Sequence, residues 1–186
     1  MIERLPVIND REYSLYITPI APASATGVPA RQSRRQRETE AVLSLVRHCF
    51  GTASQYGHTP QGAPAVDGET KLSVSHSAHY AALLTGPAGR PMGVDIEEMR
   101  PAQLRRVAGR FLSPREWDLF RTDEELLWAW AAKEAVYKAA GIAALSGPEI
   151  ALERPYGPCA FVGGRRYRLS SVRTAGYLAV AAIAPA

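Results

Sequence analysis

One seven-residue pattern occurs twice in this chain. Ser77-Ala78-His79-Tyr80-Ala81-Ala82-Leu83 resembles Thr174-Ala175-Gly176-Tyr177-Leu178-Ala179-Val180. Each copy closes its own half of the 186 residues. The first half reads strand, helix, strand, strand, and the second reads strand, helices, strands. A repeat of this kind points to two similar units that bury their apolar faces against each other. The expected class is therefore α+β: two similar α/β halves, residues 1–89 and 90–186, packed about a pseudo-twofold axis as a pseudodimer. A site at their seam is expected.

The local patterns fill in the elements. Leu15 and Ile17 alternate with other residue types after Arg11 and suggest a first strand. Pro19 to Pro29 reads as a loop, with Pro29 well placed near a helix start. Val42, Leu45, Val46 and Cys49 recur at helical spacing and mark an amphipathic helix ending at Gly51. Residues 51–70 read as a long loop. Short strands follow over Lys71–His76, Tyr80–Leu84 and Met92–Glu97. Pro101 opens a helix carrying Leu104, Val107, Ala108 and Phe111. Ser113-Pro114-Arg115-Glu116 has the form of a capping box with proline at the first helical position. A long helix runs from about Glu124 to Ala140 and is closed by Gly141. Glu149 to Ile183 reads as strands and turns.

The chain is 46% hydrophobic and 22% charged, an ordinary globular composition that argues against a fibrous or disordered class. No apolar run reaches membrane-spanning length, and the first residues lack a signal pattern. A cytoplasmic protein with no membrane partner is expected. Cys49 and Cys159 stand far apart, outside any metal-type spacing, and read as reduced thiols. The net charge is +4. Arginines cluster at Arg31, Arg34, Arg35 and Arg37, and again at Arg165, Arg166, Arg168 and Arg173. They are either solvated faces or an attraction for an anionic partner.

Chemistry concentrates in two segments. In Gly93-Val94-Asp95-Ile96-Glu97, strand alternation puts Val94 and Ile96 on one face and both carboxylates on the other, about 7 Å apart. The pair is either a charged solvent-facing edge or part of a site for a hard divalent cation. In Trp130-Ala131-Ala132-Lys133-Glu134-Ala135-Val136-Tyr137-Lys138, the helical wheel sets Glu134 within an arc of Leu126, Leu127, Trp130, Ala131 and Tyr137, with Lys138 one turn on. A salt bridge at i, i+4 is the plain reading, yet such bridges normally face water. A third carboxylate joining Asp95 and Glu97 is the other, with Lys133 and Lys138 binding phosphates. His76 shares a face with Leu72 and Val74. It is either a satisfied core residue or, between Ser75 and Ser77, an anion contact. P-loop, Rossmann and nucleophile-elbow signatures are missing.

Together these motifs resemble the 4′-phosphopantetheinyl transferases of the larger, pseudodimeric, surfactin-synthetase-activator type. The residues carrying the resemblance are Ser75-His76, Gly93-Val94-Asp95-Ile96-Glu97, Phe111-Leu112-Ser113-Pro114-Arg115-Glu116, and Trp130 through Lys138. They span about residues 62 to 141. The flanking segments match only loosely. One departure is Gly62-Ala63-Pro64, where the family often carries a cation in the middle position.

The resemblance implies a monomeric enzyme using Mg²⁺ and coenzyme A. It would move phosphopantetheine to a serine of an acidic apo acyl or peptidyl carrier protein and release 3′,5′-ADP. It implies Asp95, Glu97 and Glu134 as metal ligands, and Glu134 and Lys138 as the catalytic pair. Ser75, His76, Lys133 and Lys138 are implied as coenzyme A contacts, and Arg34 or Arg37 is a candidate for the missing cation. Nucleic acid is not an expected partner, since no recognition-helix or aromatic basic-sheet motif is present. A non-catalytic carrier-binding homologue and another Mg²⁺-dependent phosphate-transfer or hydrolytic enzyme are the alternatives.

Overall fold

Apolar residues two apart, such as Leu15 and Ile17, build the first layer of the chain. The computed structural model describes residues 1–6, 12–22 and 33–185. In chain order the elements are β1 (Glu3–Pro6), β2 (Ser14–Pro19), α1 (Arg34–Phe50), β3 (Tyr56–His58), β4 (Pro64–Val66), β5 (Leu72–His76), β6 (Tyr80–Thr85), β7 (Met92–Glu97), α2 (Pro101–Phe111), α3 (Asp123–Ala140), β8 (Ala151–Leu152), β9 (Cys159–Val162), β10 (Arg165–Arg173) and β11 (Leu178–Ile183). One antiparallel sheet has the order β1-β2-β6-β5, and the second has the order β7-β11-β10-β9-β8. The protein is thus a mixed α and β structure. No helix among the described residues is long and apolar enough to cross a membrane.

The two sheets lie between helices. On the inner strands both faces are buried, so their sequences are continuously apolar rather than alternating. Ala81 and Leu83 of β6 pack with Val42, Leu45 and Val46 of α1. Ala82 and Leu84 face the other way, toward Val94 and Ile96 of β7 and Ala179, Ala181 and Ile183 of β11. Leu178, Val180 and Ala182 of β11 then pack against Ala131, Ala132 and Ala135 of α3. The order of layers is α1, first sheet, second sheet, and α3 with α2.

The repeated sequence folds into the same kind of turn twice. Ser77 N donates to Tyr80 O at 2.8 Å, and Thr174 N donates to Tyr177 O at 2.9 Å. In each turn the hydroxyl at the first position accepts from the tyrosine N–H, at 3.3 Å from Ser77 and 3.2 Å from Thr174. The two tyrosine rings meet, with centroids 4.9 Å apart.

Several sequence expectations change. The stretch 51–70 is not an open loop, since β3 and β4 pair within it. Glu116 opens only a single 3-10 turn, Glu116–Asp118, rather than a helix. Its side chain does reach back to Ser113 N at 2.7 Å, as a capping box requires, but it is also drawn into the core by a second partner described below. Ser33 caps α1 through a capping box with Gln36. Pro29 and Arg31 lie outside the described residues. Thr122 and Glu125 form the capping box of α3, and Gly141 ends it with φ 61°.

Gly93 fixes how α3 crosses β7. A Cβ placed there would meet Ala135 O at 2.0 Å and Ala139 N at 2.8 Å. The helix backbone lies directly on the strand, which small residues on both sides allow. Gly93→Ala is expected to push α3 outward, at the cost of about 1–3 kcal/mol typical of overpacking. A thermal midpoint equal to that of the unsubstituted protein would refute the close crossing.

Candidate active site

Two edge strands, β5 and β7, meet where the sheets adjoin, and side chains rather than backbone join them. Ser73 Oγ accepts from Val94 N at 3.1 Å, and Ser75 Oγ accepts from Ile96 N at 3.4 Å. These hydroxyls satisfy donors of β7 that its own sheet leaves unpaired. Because β5 alternates, Ser73 and Ser75 face β7 while Leu72 and Val74 pack toward α1. Ser75 Oγ also donates to Asp95 Oδ1 at 2.9 Å.

Asp95 and Glu97 are both buried, at 6% and 7% exposure, so the solvent-facing reading of this strand does not hold. With Val94 and Ile96 turned toward the first sheet, the two acids face the α3 side. Lys138 Nζ donates to Asp95 Oδ1 at 2.8 Å and to Val94 O at 2.9 Å. Trp130 Nε1 donates to Glu97 Oε1 at 2.6 Å, and Arg100 pairs with Glu97 Oε2. Asp95 Oδ2 is buried and has no hydrogen-bond partner among the described residues.

The charges strain one another. Burial and the nearby Asp95 carboxylate push the Glu97 pKa up to about 7, against the opposing pull of Arg100 and the Trp130 hydrogen bond. Burial, then Asp95, raises the Glu134 carboxyl as well, with Lys138 opposing. Glu134 makes no hydrogen bond among the described residues. In this arrangement no three acidic, histidine or cysteine side chains among the described residues are gathered closely enough to hold a metal ion.

The helical wheel placed Glu134 on the wrong face. The buried face of α3 consists of Leu126–Ala129, Ala131–Lys133, Ala135, Val136 and Ala139. Trp130, Glu134 and Lys138 are partly exposed and Tyr137 is 42% exposed, so these four form the opposite face. Alanines carry most of the packing, and a wheel weighted by large apolar residues misses them. Lys133 is the charged residue that lies on the core face. Its ammonium donates to Glu116 Oε2 at 2.7 Å, Ile150 O at 2.6 Å and Gly147 O at 2.9 Å. All three N–H groups are used, so Lys133 is corrected from a phosphate contact to a structural one.

Two grooves adjoin at the Glu134–Lys138 turn. One of about 410 Å³ lies between α2 and α3, with an apolar wall of Leu104, Val107, Phe111 and Trp130 and with Glu134 on its edge. The other, of about 840 Å³, runs past Gly62-Ala63-Pro64, Ser73, Arg90 and Lys138. Tyr137 lines both.

Of the remaining sequence candidates, Ser75 lies at the centre of the site and His76 and Arg37 lie further out. Ser75 is spent on Asp95 and Ile96, which makes it a support for Asp95 rather than a free donor to a ligand. His76 is exposed at the end of β5, with Nδ1 3.8 Å from Glu38 Oε1. Glu38 also binds Arg34 at 2.6 Å, so the first turns of α1, which carry Arg37, lie beside His76.

Sequence reasoning missed four contributors. Ser73 was legible as a polar partner of Ser75 two residues away in an apolar strand. Trp130 was read only as apolar, and Arg100 was not singled out. Glu98 accepts from Ser77 Oγ, His79 N and His79 Nδ1, tying the end of β7 to the β5–β6 turn. No local pattern announces a contact of that sequence separation.

Residues 91–157, somewhat over a third of the chain, match the family model described as the 4′-phosphopantetheinyl transferase superfamily. The matched stretch holds β7, α2 and α3, and with them Asp95, Glu97, Glu134 and Lys138. The match supports a transferase moving phosphopantetheine, and in general terms a coenzyme A substrate and a carrier-protein partner. No curated protein matches the chain.

Proposed function

We propose that this protein transfers the 4′-phosphopantetheine arm of coenzyme A to a serine of an apo acyl or peptidyl carrier protein, releasing 3′,5′-ADP. The observation that carries this reading is the placement of Glu134 and Lys138, beside the buried acids of β7, on the wall between two grooves, the larger lined by Arg90 and Lys138 and the smaller by Leu104, Val107, Phe111 and Trp130 together with Arg100 and Arg110. Such a wall suits a substrate with a polyphosphate at one end and a neutral arm at the other. The residues 1–89 and 90–186 are read as two related halves, with the repeated turn as the support.

Asp95, Glu97 and Glu134 are the residues that would hold Mg²⁺ once the Glu97 and Glu134 side chains turn toward Asp95, since as they stand no such trio among the described residues is gathered closely enough. Their oxygens suit a hard cation, and the unpartnered buried Asp95 Oδ2 is an acceptor in need of one. When bound, the ion would neutralise charge developing on the pyrophosphate.

The chain's own residues supply the rest. Lys138, held by Val94 O and Asp95, presents positive charge to the donor phosphates. Trp130 and Arg100 fix the Glu97 carboxylate. Glu134, made more basic by burial, takes the proton from the carrier serine, directly or through water. The serine oxygen bonds to the phosphorus bearing pantetheine. The bond from that phosphorus to the bridging oxygen breaks, and the electron pair leaves with 3′,5′-ADP. Positioning and electrostatics do most of the work in a transfer of this kind.

Incubation with coenzyme A and a panel of apo carriers, read by the mass of the carrier, tests the reading. A phosphopantetheine adduct is expected. Coenzyme A hydrolysis without an adduct would favour a hydrolase, and carrier binding without chemistry would favour a non-catalytic homologue. Lys138→Ala is expected to raise KM for coenzyme A roughly tenfold, the order of a lost charge-assisted hydrogen bond, while KM for the carrier changes little. Loss of carrier affinity with coenzyme A affinity intact would overturn that role.

A further inference from the structure

Three serines alternate along β5 and the turn that follows it, and each reaches β7. Ser73 Oγ accepts from Val94 N, Ser75 Oγ accepts from Ile96 N, and Ser77 Oγ donates to Glu98 Oε1. The separation is 21 residues at every rung, so the two strands run in the same direction. Each strand is the last of its sheet, and hydroxyls stand where a backbone ladder would otherwise join them.

The rungs differ in strength. The first two are single bonds between neutral groups, and the second is long, at 3.4 Å. The third is charge-assisted and multiple. Glu98 Oε1 accepts from His79 N at 2.9 Å as well as from Ser77, and Oε2 meets His79 Nδ1 at 2.7 Å. The turn that Glu98 grips is itself pinned, since Ser77 N donates to Tyr80 O and Ile20 N donates to His79 O at 2.7 Å. One rung away, Ser75 donates to Asp95 Oδ1, the oxygen that also accepts from Lys138.

We propose that Glu98 is a positioning residue for transfer: its clasp on the Ser77–His79 turn sets the spacing of β5 from β7 and keeps Ser75 on Asp95. This rests on the transfer reaction proposed above. Without the third rung, two weak bonds hold the seam, Ser75 moves off Asp95, and Asp95 and Lys138 lose their fixed place. The loss falls on the chemical step more than on binding, because Glu98 lines neither groove.

The test measures transfer kinetics, thermal unfolding and amide hydrogen exchange for the unsubstituted protein, Glu98→Ala, Glu98→Gln, Ser77→Ala and the double variant Ser77→Ala with Glu98→Ala. Strand amides alternate in direction, so the Val94 and Ile96 N–H groups report on the seam and that of Asp95 on the pairing with β11. For Glu98→Ala, kcat is expected to fall about tenfold or more, while KM for coenzyme A and for the carrier each stay within about threefold. The thermal midpoint stays within about 5 °C. The Val94 and Ile96 amides exchange about tenfold faster and the Asp95 amide does not change. Glu98→Gln, whose amide oxygen still accepts from Ser77 and His79 N, keeps about half of kcat or more. Ser77→Ala loses rate in the same sense, and the double variant is no slower than the slower single one. Unchanged exchange at Val94 and Ile96, an unchanged kcat, Glu98→Gln as slow as Glu98→Ala, or losses that multiply in the double variant overturn the role of Glu98 while transfer by the unsubstituted protein stands. Absence of transfer by the unsubstituted protein sinks the reaction, and this role with it.

Discussion

Replacing Asp95 with alanine is expected to reduce phosphopantetheine transfer by on the order of a hundredfold or more, the scale on which preorganised charge-stabilising groups act. Asp95 is the hub of the site. It takes hydrogen bonds from Ser75 and Lys138 through one oxygen, and the other is buried without a partner among the described residues. Its charge is felt by both Glu97 and Glu134. A carboxylate so placed is a poor contributor to stability, because a buried charge needs complete partnering. Asp95→Asn, close in shape, is therefore expected to lose transfer activity while keeping or raising the thermal midpoint. The measurement is the transfer rate over a series of Mg²⁺ concentrations, with thermal unfolding alongside. An unchanged rate for Asp95→Ala at limiting Mg²⁺ would remove Asp95 from the metal site.

Glu116→Ala is expected to be the most damaging change away from the grooves. Glu116 and Lys133 form an ion pair in which each side chain is 2% exposed. The same carboxylate accepts from Ser113 N and Leu152 N, at 2.7 and 2.8 Å, so it joins the segment after α2, the helix α3 and the strand β8. Burial presses the Lys133 ammonium toward its neutral form, and Glu116 opposes this. Removing the acid leaves an uncompensated buried charge, which costs about 3–5 kcal/mol. For a domain of this size that corresponds to a fall of roughly 10 °C in Tm. Lys133→Met, which keeps much of the side-chain volume, should lose less and should leave KM for coenzyme A unchanged. A raised KM at full stability would return Lys133 to the phosphate-binding residues.

The two residues of Lys133-Glu134 show why sequence periodicity went only part of the way. They are adjacent, both charged and both in a helix rich in alanine. The sequence marks one of them as anomalous but does not say which is buried. The answer depends on how close the helix backbone comes to β7, and Gly93 decides that by having no Cβ. Once α3 lies on the strand, the alanine stripe becomes the core face. Lys133 is carried inward to Glu116, while Glu134 is turned toward the grooves. The strand reading was firmer, since a period of two leaves only two faces to choose between. Val94 and Ile96 share one apolar face, and Asp95 and Glu97 share the other.

By itself the sequence determined the elements that short-range rules govern. These are the helix over 124–140 closed by Gly141, the strands at 71–76, 80–84 and 92–97, and the two matching turns at Ser77 and Thr174. Each depends on residues within about one turn of helix or two strand positions, where propensity, capping and alternation act. Tertiary structure alone decided the hydroxyl bridges from Ser73 and Ser75 to β7, the burial of the pair Glu116 and Lys133, the clasp of Glu98 on the Ser77 turn, and the meeting of two grooves at the Glu134–Lys138 turn. Those contacts join residues 17 to 21 positions apart, or sit on surfaces that exist only after the sheets and helices have packed. Their energies depend on desolvation and geometry that no local window of sequence contains.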